Sequence, residues 1–146
     1  MSEGCKTILL VDDEVSQREK MRRALRASGY RVVVAADYRT AMASFQQHSG
    51  VIDMLVTDLA LPGKNGYELG LALRTVQPEL KVLFISAQVG AELHRFYGMK
   101  STDEHFLAKP FQPAELLRRV RYLLERDEPM RGFQATRQAA RITKHE

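Results

Sequence analysis

The sequence predicts an α/β fold in which a five-stranded parallel sheet is covered by helices on both faces. Five apolar runs of strand length alternate with segments that carry apolar residues at helical spacing. These runs are almost continuously apolar, which is typical of parallel strands buried on both sides. Each crossover between such strands is expected to be right-handed. At 146 residues the chain has the length of one domain with a sizeable core. We expect that domain to span residues 1–126.

The first two strands are expected at residues 6–11 and 31–35. The helix between them should begin near position 14 or 15, and Gly29 provides a left-handed stop at its end. Asp37 then has the residue type and the position of an N-cap for the second helix. These signals predict a β-α-β-α order for the first third of the chain.

The third strand is expected at residues 54–57, where it runs into Asp58. A loop of turn-forming residues follows at 59–66, and we interpret both Gly63 and Gly66 as turn glycines. Apolar residues at helical spacing after this loop predict a third helix, which Pro78 closes. The third β-α unit therefore carries an acidic residue at the end of its strand.

The fourth strand is expected at residues 81–85, and a short helix containing Leu93 and Phe96 should follow it. The fifth strand, 105–108, runs into Lys109-Pro110. The last helix begins at Pro113, a residue favoured in a first helical turn, and has a clear apolar stripe. Residues 127–146 are then expected to form a basic C-terminal tail or a stub of linker.

Composition excludes several classes of function. No apolar run approaches the roughly 18 to 20 residues of a membrane span, and the N-terminus lacks the pattern of a signal peptide, so we expect a cytoplasmic location. Cys5 is the only cysteine, and the four histidines lack metal-ligand spacing. The net charge of +4 raises the question of nucleic acid. The arginines of the first and last helices fall opposite the apolar stripes, which favours solvated helix faces instead: Arg22, Arg23, Arg26, Arg118, Arg119, Arg121 and Arg126.

Charged residues follow three of the predicted strands. Asp12 and Asp13 end the first, Asp58 ends the third, and Lys109 ends the fifth. Ligands of open parallel sheets lie in the crevice beyond the carboxyl ends of the strands, so the three acids and the lysine should meet there. Such a pocket suits a magnesium ion and a phosphoryl group. Each motif alone also fits a structural role, as a helix start, a turn or a loop exit; their joint placement favours a functional site.

Four motifs follow the predicted strands in order. They are Asp12-Asp13, Asp58 with Pro62 and Gly66, Ser86-Ala87, and Lys109-Pro110-Phe111. Together these motifs resemble the receiver domain of two-component response regulators. The resemblance covers about residues 6–126, and segments 82–86 and 106–111 are most similar to receivers attached to hybrid histidine kinases. The resemblance implies a flavodoxin-like, doubly wound (βα)5 fold with strand order 2-1-3-4-5.

The resemblance also assigns roles to residues. Asp58 would be the phosphoacceptor, and Lys109 and Ser86 would contact oxygens of the phosphoryl group. Asp13, Asp58 and the backbone carbonyl of Ala60 would bind Mg²⁺ or Mn²⁺ directly, while Asp12 would act through a bound water. These roles describe a phosphoacceptor signalling domain, which assists its own phosphorylation and dephosphorylation, and not a turnover enzyme.

Switching would involve Ser86 and Phe106, the aromatic residue three positions before the lysine. Tyrosine is common at that position, and because phenylalanine lacks the hydroxyl we expect Phe106 to prefer an inward position. Ala60, Ala87 and Gln88 would modulate access to Asp58 and the lifetime of its phosphate.

Expected partners are a sensor histidine kinase or phosphotransfer protein and a downstream protein bound by the face of the fourth helix, fifth strand and last helix. Phosphorylation could also promote homodimerisation. Membrane is not an expected partner because no apolar run is long enough to span one, and direct binding of nucleic acid is not expected because the arginines are interpreted as solvated helix faces.

Three rival classes are disfavoured by the sequence. A haloacid-dehalogenase-type phosphatase would need a second aspartate at position 60, which is alanine, and a DNA-binding regulator would need more than the twenty residues after 126 for a helix-turn-helix. The intact Asp13, Asp58, Ser86 and Lys109 argue against a phosphorylation-independent pseudo-receiver without excluding it. The pseudo-receiver and a receiver fragment of a hybrid histidine kinase stay open as alternatives.

Overall fold

A computed structural model describes residues 5–87, 95, 98 and 103–126 of the protein. The strands are β1 (Thr7–Val11), β2 (Arg31–Ala35), β3 (Met54–Asp58), β4 (Lys81–Ser86) and β5 (Phe106–Ala108). The helices, numbered within the described residues, are α1 (Val15–Ala27), α2 (Tyr38–Gln47), α3 (Gly66–Val76) and α4 (Pro113–Glu125). The predicted short helix around Leu93 and Phe96 lies outside the described residues.

All five strands are parallel and form one sheet in the order β2-β1-β3-β4-β5. This architecture confirms the predicted fold class and the strand order that the family resemblance implied. In the register, Val11 is paired with Thr57, and Asp58 is paired with Ile85. The carboxyl ends of β1, β3 and β4 therefore lie side by side, which brings the residues that follow them to one edge of the sheet.

The helices pack in two layers, one on each face of the sheet. Helices α2 and α3 contribute Ala41, Phe45, Leu69 and Leu73 to a core cluster with the side chains of one face, including Phe84 and Phe106. Helices α1 and α4 contribute Met21, Leu25, Leu116, Val120 and Leu123 to the cluster on the other face. Consecutive strand residues point to opposite faces, so the continuously apolar strands fill both clusters. None of the described helices combines the length and apolar character that crossing a bilayer requires.

Local signals in the sequence fix where the helices begin. Asp37 caps α2 through a capping box with Thr40, as predicted. Asn65 and Glu68 form the same arrangement at the start of α3. At the other end of α1, Gly29 has a φ of 98°, the left-handed conformation expected of a helix stop. These residues mark the end of α1 and the starts of α2 and α3.

Candidate functional site

Three carboxylates converge at the carboxyl edge of the sheet. Asp12 and Asp13 directly follow β1, and Asp58 is the last residue of β3. One carboxylate oxygen from each lies within 4.8 Å of the other two. Asp12 and Asp58 are buried, whereas Asp13 is exposed, so the cluster opens to solvent on one side. The predicted meeting of the three acids is confirmed.

Lys109 faces this cluster from the end of β5. Its Nζ donates to Oδ2 of Asp58 at 2.6 Å, and both side chains are mostly shielded from solvent. The backbone N–H of Lys109 donates to the carbonyl of Ser86 at 2.9 Å, which fixes the start of the loop against the end of β4. The structure thus joins the predicted lysine directly to the predicted phosphoacceptor.

The Asp12 carboxylate is in an environment that disfavours its charged form. Burial raises the pKa of Asp12 to about 6; a hydrogen bond from the backbone N–H of Glu14 opposes the shift, and the charge of Asp58 adds to it. Oδ2 of Asp12 is buried and accepts no hydrogen bond from any described residue. An oxygen in this state, beside two further carboxylates, suits a hard cation such as Mg²⁺, so the donor set fits the metal that the resemblance implies.

Lys109 carries the compensating charge. Burial by itself would lower the pKa of this ammonium, but the hydrogen bond that it donates to Asp58 and the charges of Asp58, Asp12 and Asp13 outweigh that effect, and the pKa of Lys109 is raised. Lys109 therefore stays protonated and offsets part of the repulsion among the three acids.

Backbone contacts hold the Asp58 side chain in place. Its Oδ1 accepts the backbone N–H of Ala60 at 3.0 Å, and its carbonyl accepts the hydroxyl of Thr57 at 3.0 Å. Gly66 packs on the same carbonyl, so closely that an added Cβ would lie 2.1 Å from it. The interpretation of Gly66 as a turn glycine was wrong, since Gly66 is the first residue of α3 and its φ is not positive. Gly63, with a φ of 76°, is a turn glycine as predicted.

Two arginines were not predicted as part of this arrangement. Nη1 of Arg18, in α1, donates to the carbonyl of Asp12 at 2.6 Å and so braces the acidic turn. Arg119, interpreted from the sequence as part of a solvated face, is half-buried and donates to the carbonyls of Glu104 and Phe106. That interpretation was wrong for Arg119, because β5 is an edge strand whose outward carbonyls need donors.

The two predicted switch residues, Ser86 and Phe106, lie in the strands next to β3 along the sheet, β4 and β5. Ser86 is the buried last residue of β4, and Ala87 is exposed immediately after it. Phe106, at the start of β5, is fully buried in the cluster that contains Phe84, so its ring is inward as expected. Gln88 lies outside the described residues.

A comparison with protein families identifies the domain. The family model for the response regulator receiver domain matches residues 8–121. The chain belongs to this family. The receiver fold, the acidic cluster and the lysine thus occur together in a signalling domain of two-component systems.

Curated relatives include full-length regulators. Over 125 residues the receiver is 36% identical to the response regulator MprA of Mycolicibacterium vanbaalenii. This alignment covers 86% of this chain and 53% of MprA. The receiver is 30% identical over 118 residues to the transcriptional regulatory protein YbdJ of Bacillus subtilis, described as uncharacterised, covering 81% of this chain and 50% of YbdJ. The chain thus spans about half the length of the curated relatives it matches.

Solved structures of isolated receiver domains align with this chain over almost their whole length. The HemR receiver domain of Leptospira biflexa, in its non-phosphorylated form, is 30% identical, with a TM-score of 0.71 and coverage of 85% of this chain and 98% of HemR. The receiver domain of the hybrid histidine kinase CckA is 34% identical, with a TM-score of 0.66 and coverage of 82% and 99%. Both regulators and a hybrid kinase thus contain receivers similar to this one.

Proposed function

We propose that this receiver accepts a phosphoryl group from a phosphohistidine onto Asp58, with Mg²⁺ or Mn²⁺ held by Asp12, Asp13, Asp58 and the carbonyl of Ala60. The observation that carries the proposal is that Asp58 belongs to two contacts at once. Its carboxylate is one of the cluster of three acids, and it also accepts a hydrogen bond from the ammonium of Lys109 at 2.6 Å. Structural needs alone do not require three acids and a lysine at one sheet edge.

The transfer replaces one bond to phosphorus with another. An oxygen of Asp58 forms the new O–P bond, the P–N bond to histidine breaks, and the departing nitrogen keeps the electron pair. When bound, the divalent cation would neutralise charge on the phosphoryl oxygens. Lys109 supplies the second positive charge, since its ammonium can exchange the Asp58 carboxylate for a phosphoryl oxygen. Ser86, at the end of the adjacent strand β4, provides a hydroxyl that can donate a hydrogen bond to another phosphoryl oxygen.

Phosphorylation would be transmitted through Ser86 and Phe106. An aspartyl phosphate adds charge and strong acceptors beside Ser86, which draws the hydroxyl towards it. The fully buried ring of Phe106 packs against the same strand, so a shift of Ser86 changes the space available to that ring. We assign output to the surface formed by β5, α4 and the chain between β4 and β5, where a downstream protein or a second copy would bind.

The phosphoryl donor would be a sensor histidine kinase or a phosphotransfer protein, as the family membership supports. We place the domain at residues 1–126 with residues 127–146 as a basic extension, and we assign it to the cytoplasm. Ala60, Ala87 and Gln88 are proposed to set the lifetime of the phosphate. The similarity to the CckA receiver favours, as a second candidate, the receiver of a hybrid histidine kinase.

The test is incubation with acetyl phosphate or phosphoramidate and Mg²⁺, followed by measurement of intact mass. The wild type should gain one phosphoryl group, whereas Asp58→Asn should gain none, and omission of the metal should suppress the gain. Urea unfolding of the Asp58→Asn variant provides the control for folding. An unmodified wild type under these conditions would support the phosphorylation-independent pseudo-receiver instead.

A further inference from the structure

We propose that Arg18 is a positioning residue for the cation site: it holds the peptide that joins Asp12 to Asp13 and so directs the Asp13 carboxylate into the acidic cluster. Nη1 of Arg18, in α1, donates to the carbonyl oxygen of Asp12 at 2.6 Å. This role rests on the proposed function, in which Asp13 binds the divalent cation directly. It makes the affinity for the cation depend on a residue that is not itself a ligand.

Asp13 depends on its backbone for its place in the cluster. The carboxylate of Asp58 accepts a hydrogen bond from Lys109 at 2.6 Å, and that of Asp12 accepts one from the backbone N–H of Glu14 at 2.9 Å. Asp13 is exposed, and no described residue donates a hydrogen bond to its carboxylate or forms an ion pair with it. The direction in which this carboxylate points is therefore set by the peptide units beside it.

The backbone here is anchored on both sides of Asp12. The N–H of Asp12 donates to the carbonyl of Ala35, at the end of β2, at 3.2 Å. The carbonyl of Asp12 and the N–H of Asp13 belong to one planar peptide unit, so a donor that holds the oxygen also fixes the plane from which Asp13 projects. The chain bends at Asp13 before α1 begins at Val15, so this peptide belongs to neither the strand nor the helix. Its orientation depends on the hydrogen bond from Arg18.

The position of Arg18 on α1 explains why it reaches this carbonyl. Met21 and Leu25 are buried in the core, and Arg18 precedes them by three and seven residues, which places all three on one face of the helix. Side chains of a helix lean towards its N-terminus. A long side chain at this place therefore extends along the core-facing side of α1, back to the turn that precedes the helix. Arg18 is half-buried there.

The charge of Arg18 and its hydrogen bond should act in opposite directions on a bound cation. A guanidinium beside the acidic turn repels Mg²⁺, so loss of its charge alone would strengthen binding. Loss of the hydrogen bond would instead let Asp13 turn away from the cluster and would weaken binding. No described carboxylate forms an ion pair with Arg18, so removing this side chain leaves no acid without its partner. The sign of the change in Mg²⁺ affinity therefore distinguishes a positioning role from an electrostatic one.

NMR titration of the full chain with Mg²⁺, followed through its backbone amide shifts, measures this affinity. In Arg18→Met we expect the dissociation constant to rise roughly tenfold, as is typical when a residue that orients a metal ligand is removed. Arg18→Gln, whose side chain is polar but shorter, should change it in the same direction. Arg22→Met is the matched control, because Arg22 is also half-buried on α1 but pairs with Glu19 at 2.6 Å. It removes the same charge and should leave the constant as in the wild type.

Two further measurements separate positioning from a general loss of stability. Without metal, the order parameter of the Asp13 amide should fall below the roughly 0.85 of a rigid backbone in Arg18→Met but not in Arg22→Met. In an Asp13→Asn background, Arg18→Met should change the Mg²⁺ dissociation constant by a much smaller factor, because the carboxylate that Arg18 positions is gone. Urea unfolding checks that each metal-free variant is folded.

Two results would overturn this role for Arg18. One is an unchanged or stronger Mg²⁺ affinity in Arg18→Met, and the other is an equal fold-change with and without Asp13→Asn. Either result, with a wild type that binds Mg²⁺, leaves the proposed phosphorylation of Asp58 intact. A wild type that binds no Mg²⁺ would overturn the proposed function together with this role.

Discussion

Gly66 and Asp58 approach so closely that no side chain fits between them. A Cβ atom on residue 66 would lie 2.1 Å from the carbonyl oxygen of Asp58 and 3.0 Å from Oγ1 of Thr57. The N–H of Gly66 also donates to the carbonyl of Leu59 at 2.9 Å. The first turn of α3 is thus seated directly on the end of β3, and the position of the Asp58 backbone depends on glycine at residue 66.

Gly66→Ala should therefore impair both stability and phosphorylation. The new methyl group must push α3 or the end of β3 aside, and we expect the free energy of unfolding to fall by about 1 to 3 kcal/mol. This loss should exceed the roughly 0.5 to 1 kcal/mol that alanine gains over glycine inside a helix. Phosphorylation by acetyl phosphate should slow markedly, because the Asp58 carboxylate no longer faces Lys109 correctly. Urea unfolding and intact-mass time courses measure the two effects.

Gly29→Ala provides the matched control for this variant. Gly29 has a φ of 98° but no heavy atom within 4 Å of the added Cβ, so the change introduces only backbone strain. It should cost about 1 to 2 kcal/mol of stability and leave the rate of phosphorylation unchanged. If Gly66→Ala were phosphorylated at the wild-type rate, the contact with Asp58 would have no role in positioning the acceptor.

Asp12→Asn should separate stability from metal binding. The amide keeps an oxygen for the N–H of Glu14 and removes a buried charge whose Oδ2 accepts no hydrogen bond from any described residue. In the absence of metal, we expect the variant to be more stable than the wild type by about 1 to 3 kcal/mol. Mg²⁺ should raise the unfolding midpoint of the wild type much more than that of the variant.

Urea titrations with and without Mg²⁺ measure these differences, and the conservative variant Asp12→Glu restores the charge as a control. If the metal-free Asp12→Asn protein were less stable than the wild type, the buried charge of Asp12 would not destabilise the folded state as we expect.

His105 should make the stability of the domain depend on pH. It is fully buried and packs edge-on against the ring of Phe84, with ring centroids 6.1 Å apart. Burial lowers the pKa of His105, and the nearby acids Asp103 and Glu104 oppose the shift only in part. In the unfolded chain a histidine binds its proton near pH 6.5. The unfolded state therefore binds more protons below that pH, and the contribution of His105 to stability is present above it and lost as the pH falls.

Unfolding free energies measured between about pH 7.5 and 5.5 test this dependence. His105→Leu should flatten the loss of stability at low pH. An identical slope in wild type and His105→Leu would show that this histidine is not the group that titrates.

Much of the fold could be predicted because its signals are local. The apolar strands, the cap at Asp37 and the stop at Gly29 each depend on a few neighbouring residues, and all three were identified from the sequence. The site acids were also predictable, since the carboxyl ends of parallel strands must share one edge. The roles of Gly66 and Arg119 were misread because both depend on backbone atoms of a neighbouring strand, β3 for Gly66 and β5 for Arg119, and local sequence patterns do not show which strand a helix meets.

The sequence by itself determined the β-α alternation, the family and the identity of the charged residues that meet beyond the strands. Only the tertiary structure decided how they meet: the burial of Asp12, the 2.6 Å contact between Lys109 and Asp58, and the seating of α3 on the end of β3. The physical reason is that periodicity encodes which face of an element is apolar. The distance between two elements, and with it the electrostatic environment of each carboxylate, is set by how the whole sheet and its helices pack.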